Sequence, residues 1–170
     1  NKTEYETSPI DQAQKYKDHG FKNLHIVDLD GALSGETVNL DVIEEIVSKF
    51  DLKIEIGGGV RTFDSIKKYI DAGVEKVILG SAAIKNKEFL KEACTKFKNK
   101  IALGLDAKDG NLSVSGWKEN LNVKTLNYLK EVNDFGVSRI IYTDINRDGM
   151  KTGPNFDETV KIAEISKCPV

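Results

Sequence analysis

The chain has 170 residues, with 25 Lys or Arg against 27 Asp or Glu and a net charge of −2. The two signs are mixed along its length, which excludes a basic nucleic-acid stripe and an acidic solvating tail and leaves a small molecule as the expected partner. No run approaches the roughly 20 apolar residues of a membrane span, and NKTEYETSP at the start lacks an apolar signal region. The two distant cysteines, Cys94 and Cys168, suit a reducing cytoplasm. One domain over 1–170 is the expectation, cytoplasmic, with no membrane contact.

The first element is a helix over 9–19, opened by Ser8 and Pro9 and closed by Gly20. A short β-branched run, LHIVD at 24–28, reads as a buried strand, and an amphipathic stretch at 40–50 as a helix. The pattern repeats with LKIEI at 52–56 and a helix at 63–72 that Thr62 caps and Gly73 ends. EKVIL at 75–79 precedes a helix at 87–98, IALGL at 101–105 precedes a long loop and a helix at 124–134, and SRIIY at 138–142 precedes a helix at 156–166. Strands and helices that alternate in this way form βαβ units around a parallel sheet, so the class is α/β.

An internal repeat narrows the architecture. Gly20 matches Gly136, Asp28 matches Asp144 and Asn39 matches Asn155, all at an offset of 116 residues. Gly31 and Gly149, and Gly35 and Gly153, match after a two-residue insertion. Two such halves, each with four strands, predict an eight-stranded parallel barrel with two-fold internal symmetry. Five strands lie whole within the chain, and a further one begins at Pro169 and Val170. The counterpart of the strand that carries Asp106 falls about ten residues before Asn1. The expectation is therefore a partial (β/α)8 barrel comprising strands two to six, with open edges that favour poor stability or association.

In parallel barrels the site is built from loops at strand C-terminal ends. IGGGVRT at 56–62 places Gly58 and Gly59 between a strand and a helix, where glycine lets backbone N–H groups approach a phosphate. Arg61 is placed either to clamp an anion or to sit as a solvated cation. Gly80 and Ser81, in LGSAAI at 79–84, suit a share in the same phosphate site, and the repeat then implies a ligand with two phosphates. Asp106, Asp28 and Asp144 all end strands, where a partly desolvated carboxylate can move protons. Asp28 and Asp144 serve equally well as loop-capping acids; Asp106 is favoured because its repeat partner would face it. Thr143 is placed to orient a substrate oxygen, and Trp117, the only tryptophan, to lie over a planar ligand or to anchor its loop. No metal constellation and no dinucleotide fingerprint appear.

Together, HIVDLDGA, IEIGGGVRT, ILGSAAI, LGLDAKDG, VSGW and IIYTDINRDGMKTGPN resemble the phosphoribosylformimino aminoimidazole carboxamide ribotide isomerase family of histidine biosynthesis, along essentially the whole chain. The resemblance implies a cofactor-free (β/α)8 TIM barrel, monomeric at full length, that converts a bisphosphate ribotide from aldose to ketose by an Amadori rearrangement. It implies that Asp106 is the general acid, Thr143 its helper and Trp117 the residue stacked on substrate. Gly58, Gly59, Arg61, Gly80 and Ser81 match the family's phosphate site. The family's base is an aspartate on the first strand, which precedes this chain, so the chain alone is expected to lack it. The sister cyclase barrel is the nearest competitor, disfavoured by SGWKEN and by TDINRDG followed by TGPN. A non-catalytic phosphate-binding barrel fragment is the alternative from another class, and activity on the corresponding tryptophan-pathway substrate stays open.

Overall fold

A computed structural model describes residues 7–170, which divide after Val77 into two compact units. The first opens with α1 (Pro9–Asp18), whose start is fixed by the Ser8 hydroxyl accepting from the Asp11 N–H at 3.1 Å. β1 (Asn23–Val27) runs parallel to β2 (Lys53–Gly57), in register from Asn23 beside Lys53 to Val27 beside Gly57. Between them lie α2 (Leu29–Ser34) and α3 (Leu40–Lys49). α4 (Phe63–Asp71) starts where the Thr62 hydroxyl accepts from Ser65 N–H, and β3 (Lys76–Leu79) begins parallel to β2, with Lys76 beside Glu55 and Val77 beside Ile56.

The amphipathic spacing of α3 and α4 turns Ile43, Ile46, Ile66 and Tyr69 inward, and Ile54 and Ile56 of β2 are buried as well. All five isoleucines are at most 2% exposed, and burying each side chain stabilises the fold by roughly 1.5–3 kcal/mol. Of the strands in this unit, β1 is covered least. None of its residues is buried, and with Pro9, Tyr16, Ile43 and Ile46 it walls an apolar cavity of about 590 Å³.

The second unit continues with α5 (Ser81–Lys85), α6 (Lys87–Lys96) and β4 (Ile101–Lys108). β5 (Asn111–Val114) and β6 (Glu119–Lys124) follow, then α7 (Thr125–Val132), β7 (Arg139–Asp144) and α8 (Phe156–Ile165). β4 and β7 are parallel, in register from Ala102 beside Arg139 to Ala107 beside Asp144. The Pro169 carbonyl accepts from Ile140 N–H at 2.8 Å, so the chain beyond α8 is already drawn alongside β7.

Parallel neighbours thus follow chain order, β1 to β2 to β3 and β4 to β7, with a helix in each crossover. A doubly wound sheet would reverse that order at a switch point; the alternation and pairing are those of a partial (β/α)8 barrel. The antiparallel pairs are β4 with β5 and β5 with β6. This is where the structure departs from the expected long loop after the Asp106 strand: the segment is folded into two hairpins. Asp109 and Gly110, both left-handed (φ 53° and 73°), make the first turn. The Asp-Gly pair before NLSV is a hairpin signal, masked in the sequence by the parallel βαβ pattern on either side of it. α2 and α5 are also additional to the expected helices; with six and five residues they are too short to show a helical period.

Candidate functional site

β4 alternates, with Leu103, Leu105 and Ala107 buried and Asp106 half-buried between the last two. Its parallel register puts Asp106 directly beside Thr143 of β7, and both residues sit near the C-terminal ends of their strands. The Trp117 indole Nε1 donates to Asp106 Oδ2 at 2.9 Å, although Trp117 is 43% exposed. Three of the residues singled out from the sequence therefore meet at one place.

Trp117 reaches Asp106 from the turn between β5 and β6. Ser115, Gly116 and Trp117 are successively left-handed (φ 59°, 64° and 67°). For the two that are not glycine this conformation costs on the order of 1–3 kcal/mol each, so neighbouring contacts must hold the turn. Ser115 N–H donates to Ser81 Oγ at 2.8 Å, and Lys85 Nζ donates to Ser115 Oγ at 3.2 Å and to Glu119 Oε2 at 2.7 Å. Ser81 and Lys85 open and close α5. Neither Lys85 nor Glu119 was singled out from the sequence, because a pair 34 residues apart leaves no local pattern.

Asp144, next to Thr143, accepts from the Asn146 N–H at 3.0 Å and from the Asn155 side chain at 2.6 Å. With Asp109, Lys124, Asn155 and Glu158 it walls an open cavity of about 430 Å³. Burial first, then the charges of Asp144 and Glu158, push the neighbouring Tyr142 hydroxyl up to about 12, so it remains a hydrogen-bond donor at neutral pH.

In the first unit, Asp28 is 3% exposed and caps α2. It accepts from Gly31 N–H at 2.8 Å, the Asn39 side chain at 2.7 Å, Asn39 N–H at 3.3 Å and the Tyr69 hydroxyl at 3.2 Å. Burial opposes ionisation, but the donors of Gly31, Asn39 and Tyr69 together outweigh it and hold the carboxyl below its ordinary value. The same contact, after burial, pushes the Tyr69 hydroxyl above its ordinary range.

The glycine run packs against this cap. A Cβ on Gly58 would come within 2.2 Å of the Asp28 carbonyl oxygen, and one on Gly59 within 1.8 Å of the Gly31 carbonyl oxygen. Both glycines are left-handed (φ 105° and 71°), so bare backbone is required there by close packing as well as by conformation. Arg61 Nη2 donates to the Ala32 carbonyl at 2.9 Å, and its Nη1 lies 2.6 Å from where a Cβ on Gly35 would stand. The guanidinium thus lies across the end of α2. In the second unit Gly80 precedes α5, and the Ser81 hydroxyl accepts from Ser115.

Among the described residues, no three His, Cys, Asp or Glu side chains gather as a metal site, and no helix is long and apolar enough to cross a membrane.

A family model described as histidine biosynthesis protein matches residues 1–170. A protein of Pelagibacter ubique named 1-(5-phosphoribosyl)-5-((5-phosphoribosylamino)methylideneamino) imidazole-4-carboxamide isomerase is 80% identical over 170 residues, which cover all of this chain and 71% of that protein. Proteins of the same name from Carboxydothermus hydrogenoformans and Clostridium novyi are 46% and 44% identical. Those matches cover 95% and 100% of this chain, and 67% and 72% of theirs. The chain belongs to the histidine biosynthesis protein family.

Proposed function

We propose that the protein containing this chain is an aldose–ketose isomerase of histidine biosynthesis, acting on a ribotide that carries two phosphoribosyl arms. The observation that carries the reading is the meeting of Asp106, Thr143 and Trp117 in a chain 80% identical to an isomerase with that substrate in its name.

Asp106 is the general acid that protonates the sugar ring oxygen and opens the ring. An indole nitrogen can only donate, so Oδ2, which faces Trp117, acts as acceptor, and Oδ1 is left for the substrate. Thr143, one strand across, orients the substrate oxygen with its hydroxyl. Trp117 covers the planar imidazole carboxamide and limits water access. A general base then takes the proton from C2 of the open-chain imine to give an enaminol, and protonation of C1 with loss of the 2-hydroxyl proton gives the ketose.

Gly58, Gly59 and Arg61 on one loop, and Gly80 and Ser81 on another, are the phosphate contacts of this reading. Ser81 is chemically suited: its oxygen accepts from Ser115 while its O–H remains to donate to a phosphoryl oxygen. Asp28 and Asp144 support the substrate loops. The enzyme works as a cytoplasmic monomer on a small molecule.

The test is Asp106→Asn in the full-length protein, assayed with the aldose ribotide. Turnover falls by about 10²- to 10⁴-fold, the usual contribution of acid–base catalysis. Near-normal turnover overturns the assignment, and cyclisation of the ketose instead of isomerisation of the aldose would assign the protein to the cyclase.

A further inference from the structure

We propose that Lys85 is a positioning residue: by bridging Ser115 and Glu119 it holds the turn between β5 and β6 in the arrangement that aims Trp117 at Asp106. This rests on the roles proposed for Asp106 and Trp117, and adds the group that sets one against the other.

Packing does little for the middle of the turn. Nothing lies within 4 Å of a Cβ built on Gly116, and Gly116, Trp117 and Lys118 are exposed. Three left-handed residues in a row do not persist unaided, because L side chains favour this region only when something else compensates. The compensation comes from α5. Ser81 and Lys85 are one helical turn apart and so share a face. Ser81 takes the N–H at the start of the turn, and the Lys85 ammonium reaches both of its feet, the Ser115 hydroxyl and the Glu119 carboxylate. Ser115 Oγ also approaches Glu119 Oε2 at 3.4 Å, which closes the arrangement.

Trp117 lies between the two gripped ends, with its indole N–H on Asp106. Hydrogen bonding to Lys85, then its charge, holds the Glu119 carboxyl below its ordinary value. An exposed pair of this kind adds little to global stability. Its effect is local, on where one ring points, and errors of about 1 Å in a catalytic arrangement can cost 10²-fold in rate. The shared Ser81 hydroxyl also links the turn to the phosphate contact, so that seating of a phosphate and the placing of the indole depend on one side chain.

The experiment is charge reversal in the full-length protein labelled with 5-fluorotryptophan, with Trp117→Phe identifying the Trp117 fluorine signal. Lys85→Glu is expected to shift that signal and to lower kcat/KM by roughly 10- to 100-fold, with the melting temperature close to that of the parent. The double variant Lys85→Glu/Glu119→Lys restores both, and Lys85→Arg keeps both. A Trp117 signal unmoved in Lys85→Glu, or not restored in the double variant, overturns the proposal. The fluorine signal reads the turn independently of turnover, so failure of the Asp106 assignment is recognised separately by normal activity in Asp106→Asn.

Discussion

Asp28 and Asp144 stand 116 residues apart at the ends of matching strands, and each accepts from the side chain of an asparagine eleven residues on, Asn39 at 2.7 Å and Asn155 at 2.6 Å. The glycines around them match in conformation as well, Gly20 with Gly136 (φ 85° and 89°) and Gly35 with Gly153 (φ 82° and 83°). The surroundings differ. Asp28 is 3% exposed, has Tyr69 as a further donor and borders an apolar cavity, whereas Asp144 is half-buried and borders a cavity lined by charged and amide side chains. A duplicated hydrogen bond therefore serves a buried helix cap in one unit and a half-buried carboxylate in the other. Repetition preserves the local contact; what covers it decides the role.

The contrast breaks most sharply at the glycines. Gly59→Ala drives a methyl into the Gly31 carbonyl and should cost roughly 3–5 kcal/mol. Gly149→Ala meets nothing within 4 Å and bears only the strain of φ 70°, about 1 kcal/mol. Urea unfolding of both variants measures the difference, and equal losses would remove close packing as the reason for the glycine run.

The aspartates come next. Asp28→Asn puts an amide among donors and should cost about 2–4 kcal/mol, against about 1 kcal/mol or less for Asp144→Asn. The Asp28 cost also depends on pH. Its folded-state value is depressed, so its contribution is fully present above the unfolded value near 4 and is lost as pH falls through the folded value. The stability gap between the parent and Asp28→Asn should hold from pH 8 to about 5 and narrow on further acidification. A gap that widens in acid contradicts the capping account. A similarly small loss is expected of Tyr69→Phe, which removes one of four donors to Asp28 and should cost about 1 kcal/mol, read as a small drop in the urea midpoint.

Much of the fold is legible in the residues because the βαβ pattern is written locally. The helix over 9–19 begins at its Ser-Pro signal and α4 begins after Thr62, as capping chemistry requires. The strands at 24–28 and 101–105 fall within a residue or two of β1 and the start of β4. The hairpins after β4 are less legible: β6 has no buried residue, so it has no apolar face to mark it. At the candidate site, strand ends and glycine loops point to Asp106, Thr143 and Trp117 one by one. For Arg61 the sequence gives no sign of its hydrogen bond to the Ala32 carbonyl, because the two lie 29 residues apart.

By itself, then, the sequence determined the order and type of the main elements, the repeat and the family, because periodicity, capping and motif spacing act over a few residues at a time. Tertiary structure alone decided that Trp117 turns onto Asp106, that Lys85 spans both feet of its turn, and that Asp28 is buried where Asp144 is half-exposed. Those outcomes depend on hydrogen bonds and steric contacts between residues distant in the chain, and distance in space is not written in their spacing.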